Sequence, residues 1–228
     1  MLQKLAALLG GTCFLCRGSA QEVLCAACDA DLPRLAPARC PRCALPSPAG
    51  APCGRCLADP PSYDATVAAL AYDFPADALV HALKFRGELA LAPFLGALVA
   101  RELRADDLAA PSCIVAAPLS QARLRGRGFN QALEIARPLA RAAARPLELG
   151  LLERARDAPP QFDLPWSERQ RNVRGAFAAS RALLGATVAV VDDVMTTGAT
   201  LGEIAATLKA AGAVRVVNWV VARTLPPQ

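Results

Sequence analysis

Four Cys-x-x-Cys pairs crowd the start of the chain: Cys13/Cys16, Cys25/Cys28, Cys40/Cys43 and Cys53/Cys56. A two-residue spacer lets a tight turn aim two sulfurs at one ion, and two such knuckles close a tetrahedral four-thiolate zinc site. Eight residues separate Cys16 from Cys25 and nine separate Cys43 from Cys53. These gaps suit two consecutive ribbons with one Zn2+ each; an interleaved cross-brace, first pair with third and second with fourth, uses the same residues. A redox dithiol needs one pair, not four. So short a stretch buries little core, so metal ligation supplies its folding energy and a structural role is expected. Arg17, Arg34, Arg39, Arg42 and Arg55 decorate the knuckles, which leaves contact with a nucleic acid or a partner as a second reading. Cys113, without a Cys-x-x-Cys companion, reads as a small core residue.

The rest of the chain is a different kind of sequence. With 228 residues and a hydrophobic fraction of 54%, there is material for one ordinary domain beside a small module, and a disordered chain is excluded. The charge balance of 25 basic against 20 acidic residues is mildly basic. No apolar stretch reaches the ~18–20 residues of a membrane span, so membrane insertion is not expected. Met1 to Gly10 reads as a short amphipathic lead-in, its apolar core being too brief for a signal peptide. Asp59-Pro60-Pro61-Ser62 punctuates the chain, because prolines restrict both themselves and their predecessors. The expected division is a zinc module over 1–60 and a second domain over 63–228.

In that second domain, Thr66 to Tyr72, Cys113 to Ala117, Thr187 to Val191 and Val214 to Val221 read as strands. Ala76 to Phe85, Glu88 to Leu103, Ser167 to Val173 and Leu201 to Ala211 read as helices. Asn130 is positioned to cap a further helix, which Pro138 should bend or shorten. Strands alternating with helices predict an α/β fold with a mainly parallel sheet flanked by helices.

The segment that carries the chemistry is Val188-Ala189-Val190-Val191-Asp192-Asp193-Val194-Met195-Thr196-Thr197-Gly198-Ala199-Thr200. A buried strand delivers Asp192 and Asp193 to the carboxyl edge of the sheet, where open α/β folds bind ligands. The Thr196–Thr200 stretch then enters a helix whose free N–H groups, three hydroxyls and unhindered Gly198 cradle a phosphate. Acids beside a phosphate make sense if they accept hydrogen bonds from sugar hydroxyls or meet Mg2+ through water. Together they specify a ribose 5-phosphate. Arg123, Arg125 and Arg127, spaced by Gly126 and Gly128, read as an exposed basic loop able to grip diphosphate or a nucleic-acid backbone. His81 is the only histidine, so no serine or cysteine hydrolase arrangement is expected. Scattered Trp166 and Trp219 make no stacking ladder.

The acid–threonine run resembles the phosphoribosyl diphosphate (PRPP) signature of type I phosphoribosyltransferases. Three other segments are similar to the ComF/ComFC family. They are Lys84-Phe85-Arg86-Gly87; Ala117-Pro118-Leu119-Ser120 with Arg123 to Ala132; and Arg154, Gln161, Leu164, Arg169, Asn172-Val173 with Gly175-Ala176-Phe177. So is the paired cysteine module, a double zinc ribbon; Ala158 departs from the pattern, where threonine is expected. The resemblance implies a type I phosphoribosyltransferase-like domain that binds PRPP with Mg2+. Asp192 and Asp193 would hold the ribose and serve any catalysis, Thr196, Thr197, Gly198, Ala199 and Thr200 the 5′-phosphate. Pro118, Leu119, Lys84, Arg123 and Arg125 would meet the diphosphate. It also implies two structural zinc ions, a cytoplasmic setting, and assistance to single-stranded DNA uptake in natural transformation alongside competence proteins. A PRPP sensor without turnover and a nucleobase salvage transferase are the alternatives.

Overall fold

The computed structural model describes residues 11–155 and 174–226. The lead-in over 1–10, the helix expected over 167–173, and Ala158, Gln161, Leu164, Trp166, Arg169, Asn172 and Val173 lie outside the described residues.

Both cysteine ribbons are built to one plan. In the first, β1 (Gly11–Thr12) pairs with β2 (Ser19–Ala20), and Cys25 precedes the short helix α1 (Ala26–Ala30). In the second, Cys53 precedes α2 (Gly54–Ala58). The residue after the second cysteine of each leading pair, Arg17 or Ala44, turns into left-handed backbone at φ 64° or 58°. Hydrogen bonds from Arg17 N to Cys13 O (3.0 Å) and from Ala44 N to Cys40 O (2.9 Å) hold these turns.

Beyond them run β3 (Ala65–Ala71), α3 (Ala76–Arg86), α4 (Leu91–Glu102), α5 (Ala105–Ala109) and β4 (Cys113–Ala116). Then come α6 (Gln121–Arg127), α7 (Gln131–Ala143), β5 (Leu152–Arg154), β6 (Phe177–Ala179), β7 (Thr187–Met195), α8 (Ala199–Ala210) and β8 (Arg215–Arg223). The main sheet has the order β3-β8-β7-β4 and every pairing in it is parallel. β5 and β6 form a separate antiparallel pair. Alternation along β7 splits the core: Ala189 and Val191 join Leu83, Leu95, Ile135 and Leu139 on one face, while Val188 and Val190 join Leu201, Ile204 and Leu208 of α8 on the other. The expected α/β sandwich with a mainly parallel sheet is what the chain forms. No helix among the described residues is long and apolar enough to cross a membrane.

Two local features differ from a simple reading for identifiable reasons. Arg123, Arg125 and Arg127 are not in a loop but in α6. Ser120 Oγ caps this helix by accepting from Arg123 N (3.2 Å), and Gly128 ends it at φ 82°. Pro138 does not shorten α7, which continues to Ala143. Its ring fills the space above Gly96 of α4, where a Cβ would lie 2.7 Å from Pro138 Cγ. Close helix packing there compensates for the missing backbone donor.

The ribbons close one edge of the sheet. Edge strand β3 donates from Thr66 N to Pro41 O (3.0 Å) and from Ala71 N to Pro33 O (2.7 Å). Arg39 donates to Ala68 O (3.3 Å) and pairs with Glu102 at 2.7 Å. An edge that would otherwise invite intermolecular pairing is therefore covered. Cys13, Leu24 and Leu32 enter one core cluster and Cys40, Cys43 and Cys56 the other.

Candidate functional site

Because the four main strands are parallel, the loops after β4 and β7 and the end of β8 open on one edge of the sheet. β7 extends beyond the expected Val191, carrying both acids within the strand. The two carboxylates fare differently. Asp193 is 3% exposed and lies 2.6 Å from the Lys84 ammonium at the end of α3. Asp192 accepts from Asp193 N (2.9 Å) and lines a hollow of about 30 Å³ with Thr196, Thr197, Gly198, Ala199 and Thr200. Burial first, and Asp193 next to it second, hold the Asp192 carboxyl well above the usual carboxylate range. Lys84, expected to face a diphosphate, is thus already joined to one of the acids.

The threonine loop has an outward polarity. Gly198 adopts φ 84°, and a Cβ there would come within 2.7 Å of Met195 Cε and 2.8 Å of the Tyr63 hydroxyl, so only glycine fits. Ala199 N donates to Thr197 Oγ1 (3.2 Å). The N–H groups of Thr200 and Leu201 in the first turn of α8 have no partner among the described residues. The carbonyls are gripped from behind. Arg55 donates to Thr197 O (2.7 Å), and Arg223 donates to Met195 O (2.9 Å) and to Thr196 O.

Neither arginine was expected in this role. Arg223 is 1% exposed, and its guanidinium also donates to Cys43 O and Thr224 O, each at 2.8 Å. One buried side chain thereby ties the second cysteine ribbon to the loop after β7. Its one sequence signal is an arginine closing the apolar run Val216-Val217-Asn218-Trp219-Val220-Val221-Ala222.

A second cavity, about 320 Å³, is lined by Lys84, Phe85, Arg123, Arg127 and Phe129. Arg125 does not line it. Residues 123 and 127 are four apart and share a face of α6, which 125 does not. Pro118 and Leu119 stand half-buried on the loop between β4 and α6 and line neither space. Asn130 steadies that loop by donating to Ala117 O (3.0 Å) while it caps α7 through Ala132 N (3.0 Å).

The cysteines gather into two clusters, Cys13, Cys16, Cys25 and Cys28, then Cys40, Cys43, Cys53 and Cys56. Within each, the ligand atoms all lie within 4.8 Å of one another. The pairing is consecutive and not cross-braced. Sulfur separations of 3.7 Å (Cys16 to Cys25) and 3.6 Å (Cys43 to Cys53) match the ~3.8 Å edge of a tetrahedron with Zn–S bonds of ~2.3 Å. All nine cysteines are free of disulfides, so both sites fit a structural zinc ion.

The state of Asp192 carries a stability prediction. A carboxyl whose folded value lies above its unfolded one favours folding at low pH, and that contribution is lost as pH rises through the interval between the two. Asp192→Asn should therefore raise the melting temperature at neutral pH and flatten its fall with pH above the unfolded carboxyl range. Thermal scans from pH 4 to 8 check this; an unchanged or lower melting temperature at neutral pH would count against it.

The double zinc ribbon domain family matches residues 4–57. Over 227 residues the chain is 36% identical to the DNA utilization protein YhgH of Salmonella typhi, covering 94% of this chain and 98% of the relative. It is 31% identical over 170 residues to competence protein F of Haemophilus influenzae, covering 72% and 74%. Glutamine PRPP amidotransferase from B. subtilis, solved with ADP and GMP, is 28% identical with a TM-score of 0.35, over 55% of this chain and 25% of that one.

Proposed function

The chain belongs to the ComF family, and from that premise we propose that it binds PRPP with Mg2+ at the β7–α8 edge and assists the handling of single-stranded DNA in natural transformation. In this reading the ribbon over 1–60 is the structural support and 63–228 the ligand-binding unit. The setting is cytoplasmic, and competence proteins are its partners. Relatives named for DNA utilization and for competence support the cellular role.

One observation carries the ligand assignment: Asp192 faces the same hollow as the threonine loop, whose carbonyls are held from behind while the Thr200 and Leu201 N–H groups remain open. The hydroxyls of Thr196, Thr197 and Thr200 add donors for a 5′-phosphate. Asp192 accepts from the ribose hydroxyls, and its elevated carboxyl gains its charge most readily when those donors or a cation arrive. Asp193, held by Lys84, orients that ammonium toward the cavity in which Arg123 stands. These cations, with the amides of the Pro118–Leu119 loop, receive the diphosphate. Bound Mg2+ would neutralise diphosphate charge, and Asp192 offers the carboxylate nearest the hollow's threonines. If an acceptor is used, Asp192 and Asp193 steady the ribose while the bond from C1 to diphosphate breaks.

Calorimetry with PRPP and Mg2+ tests the assignment. Asp192→Asn should weaken binding by roughly 100-fold, the order expected for losing hydrogen bonds to a charged acceptor. Arg123→Ala should weaken it more than Arg125→Ala, whose side chain points elsewhere on α6. Equal affinity in wild type and Asp192→Asn would refute the sugar contact.

A further inference from the structure

The cavity beside Lys84 has a chemistry that a diphosphate does not exhaust. Its lining carries three cations, of which Lys84 is paired with Asp193 behind it while Arg123 and Arg127 belong to α6. One wall is aromatic: Phe85 keeps 63% of its surface exposed, although the Arg127 guanidinium lies over the ring at 5.3 Å and His81 stands 4.5 Å away. Phe129 lines the same space. Leu89 and Leu124 are also left open, at 46% and 37%. The rim is roomy, since a side chain at Gly87 or at Gly126 would meet no atom within 4 Å. Arg127 is half-buried and donates to the Gln131 amide oxygen, a neutral partner. An exposed aromatic ring backed by a guanidinium plane, in a cavity that Arg123 and Arg127 line beyond the Lys84–Asp193 pair, suits a flat π-system that carries a negative charge.

We infer that this cavity is a nucleotide subsite, in which a nucleobase stacks on the wall of Phe85 and Arg127 and its phosphate meets Arg123. The unit recognised is one base with its 5′-phosphate, either free or within a single strand. The inference rests on the PRPP reading only for the neighbouring hollow; the cavity's own lining defines its ligand. It requires a single stacked base, in keeping with a chain of 5% aromatic residues, and not a ladder.

The test compares a short oligothymidylate with an abasic oligonucleotide of equal phosphate number, by fluorescence anisotropy on the full chain. Thymidine 5′-monophosphate against deoxyribose 5-phosphate forms the free-ligand arm. Wild type should bind the base-bearing ligand roughly tenfold more tightly, the order of one stacking contact. Phe85→Ala should erase that preference, and Phe85→Trp should keep it. Discrimination in the oligonucleotide arm alone assigns the subsite to a strand; in both arms, to any nucleotide. PRPP affinity of the wild type is measured by calorimetry alongside. A wild type that discriminates but ignores PRPP leaves the stacking site standing and removes the PRPP reading. A wild type that binds PRPP yet treats base-bearing and abasic ligands alike, or a Phe85→Ala variant that keeps the preference, overturns the nucleotide subsite.

Discussion

Stripping zinc from the second cysteine cluster, by chelation or by Cys53→Ser, should unfold the segment around Cys40 to Cys56 and loosen the loop after β7. The effect is expected to be large because residues of this stretch bury little surface of their own; apparent zinc-binding energies of about 10–16 kcal/mol are folding energy in such modules. The damage should spread in a defined direction. Arg223 bridges Cys43 O and Met195 O, and Arg55, next to the ligand Cys56, holds Thr197 O. Once the knuckle unravels, both arginines lose one of the ends they join. Metal analysis should find about two zinc ions per wild-type chain and about one in Cys53→Ser. Hydrogen exchange at the bonded amides that flank the loop, Gly202 N to Gly198 O (2.8 Å) and Thr224 N to Met195 O (3.0 Å), should accelerate in that variant but much less in Cys16→Ser, which disturbs the first cluster. A metal-free protein with an unaltered thermal transition would end this account of the ribbons.

Arg223→Met should cost about 3–5 kcal/mol, the upper range for a single substitution that breaks a buried hydrogen-bond network. Methionine fills much of the volume but leaves the carbonyls of Cys43, Met195, Thr196 and Thr224 without the donors that satisfy them. A buried polar group stripped of its partner costs about 1–3 kcal/mol, and these four are not independent, so the sum is tempered. For a chain of this size that corresponds to roughly 10 °C in melting temperature. Arg223→Lys should recover only part of the loss. A single ammonium cannot fork between a ribbon carbonyl and strand-end carbonyls as a planar guanidinium does. PRPP affinity should fall in both variants, because the amides of the loop are aimed by the grip on its carbonyls. A melting temperature within about 2 °C of wild type, less than ~1 kcal/mol, would show that the bridge is dispensable.

What could be read in advance follows the range of the interactions. The knuckles were legible because two sulfurs three positions apart are aimed by one local turn. The strands were legible because parallel strands buried on both faces are continuous apolar runs. The arginine stretch misled because Gly126 and Gly128 suggest a loop; the Ser120 cap and the left-handed Gly128 instead bound a two-turn helix. That changed the site, since Arg123 and Arg127 came together and Arg125 was left out.

Linear order alone determined the two metal-binding ribbons, the parallel α/β layering and the acid-to-threonine run at a strand end, since each is encoded by residues within a few positions of one another. Which cysteine pairs share an ion, that Lys84 neutralises Asp193 across the sheet edge, and that Arg223 fastens a ribbon to the threonine loop were decided by the assembled fold. Those contacts join residues far apart in the chain, and only the burial that brings them together makes their charges and carbonyls need one another.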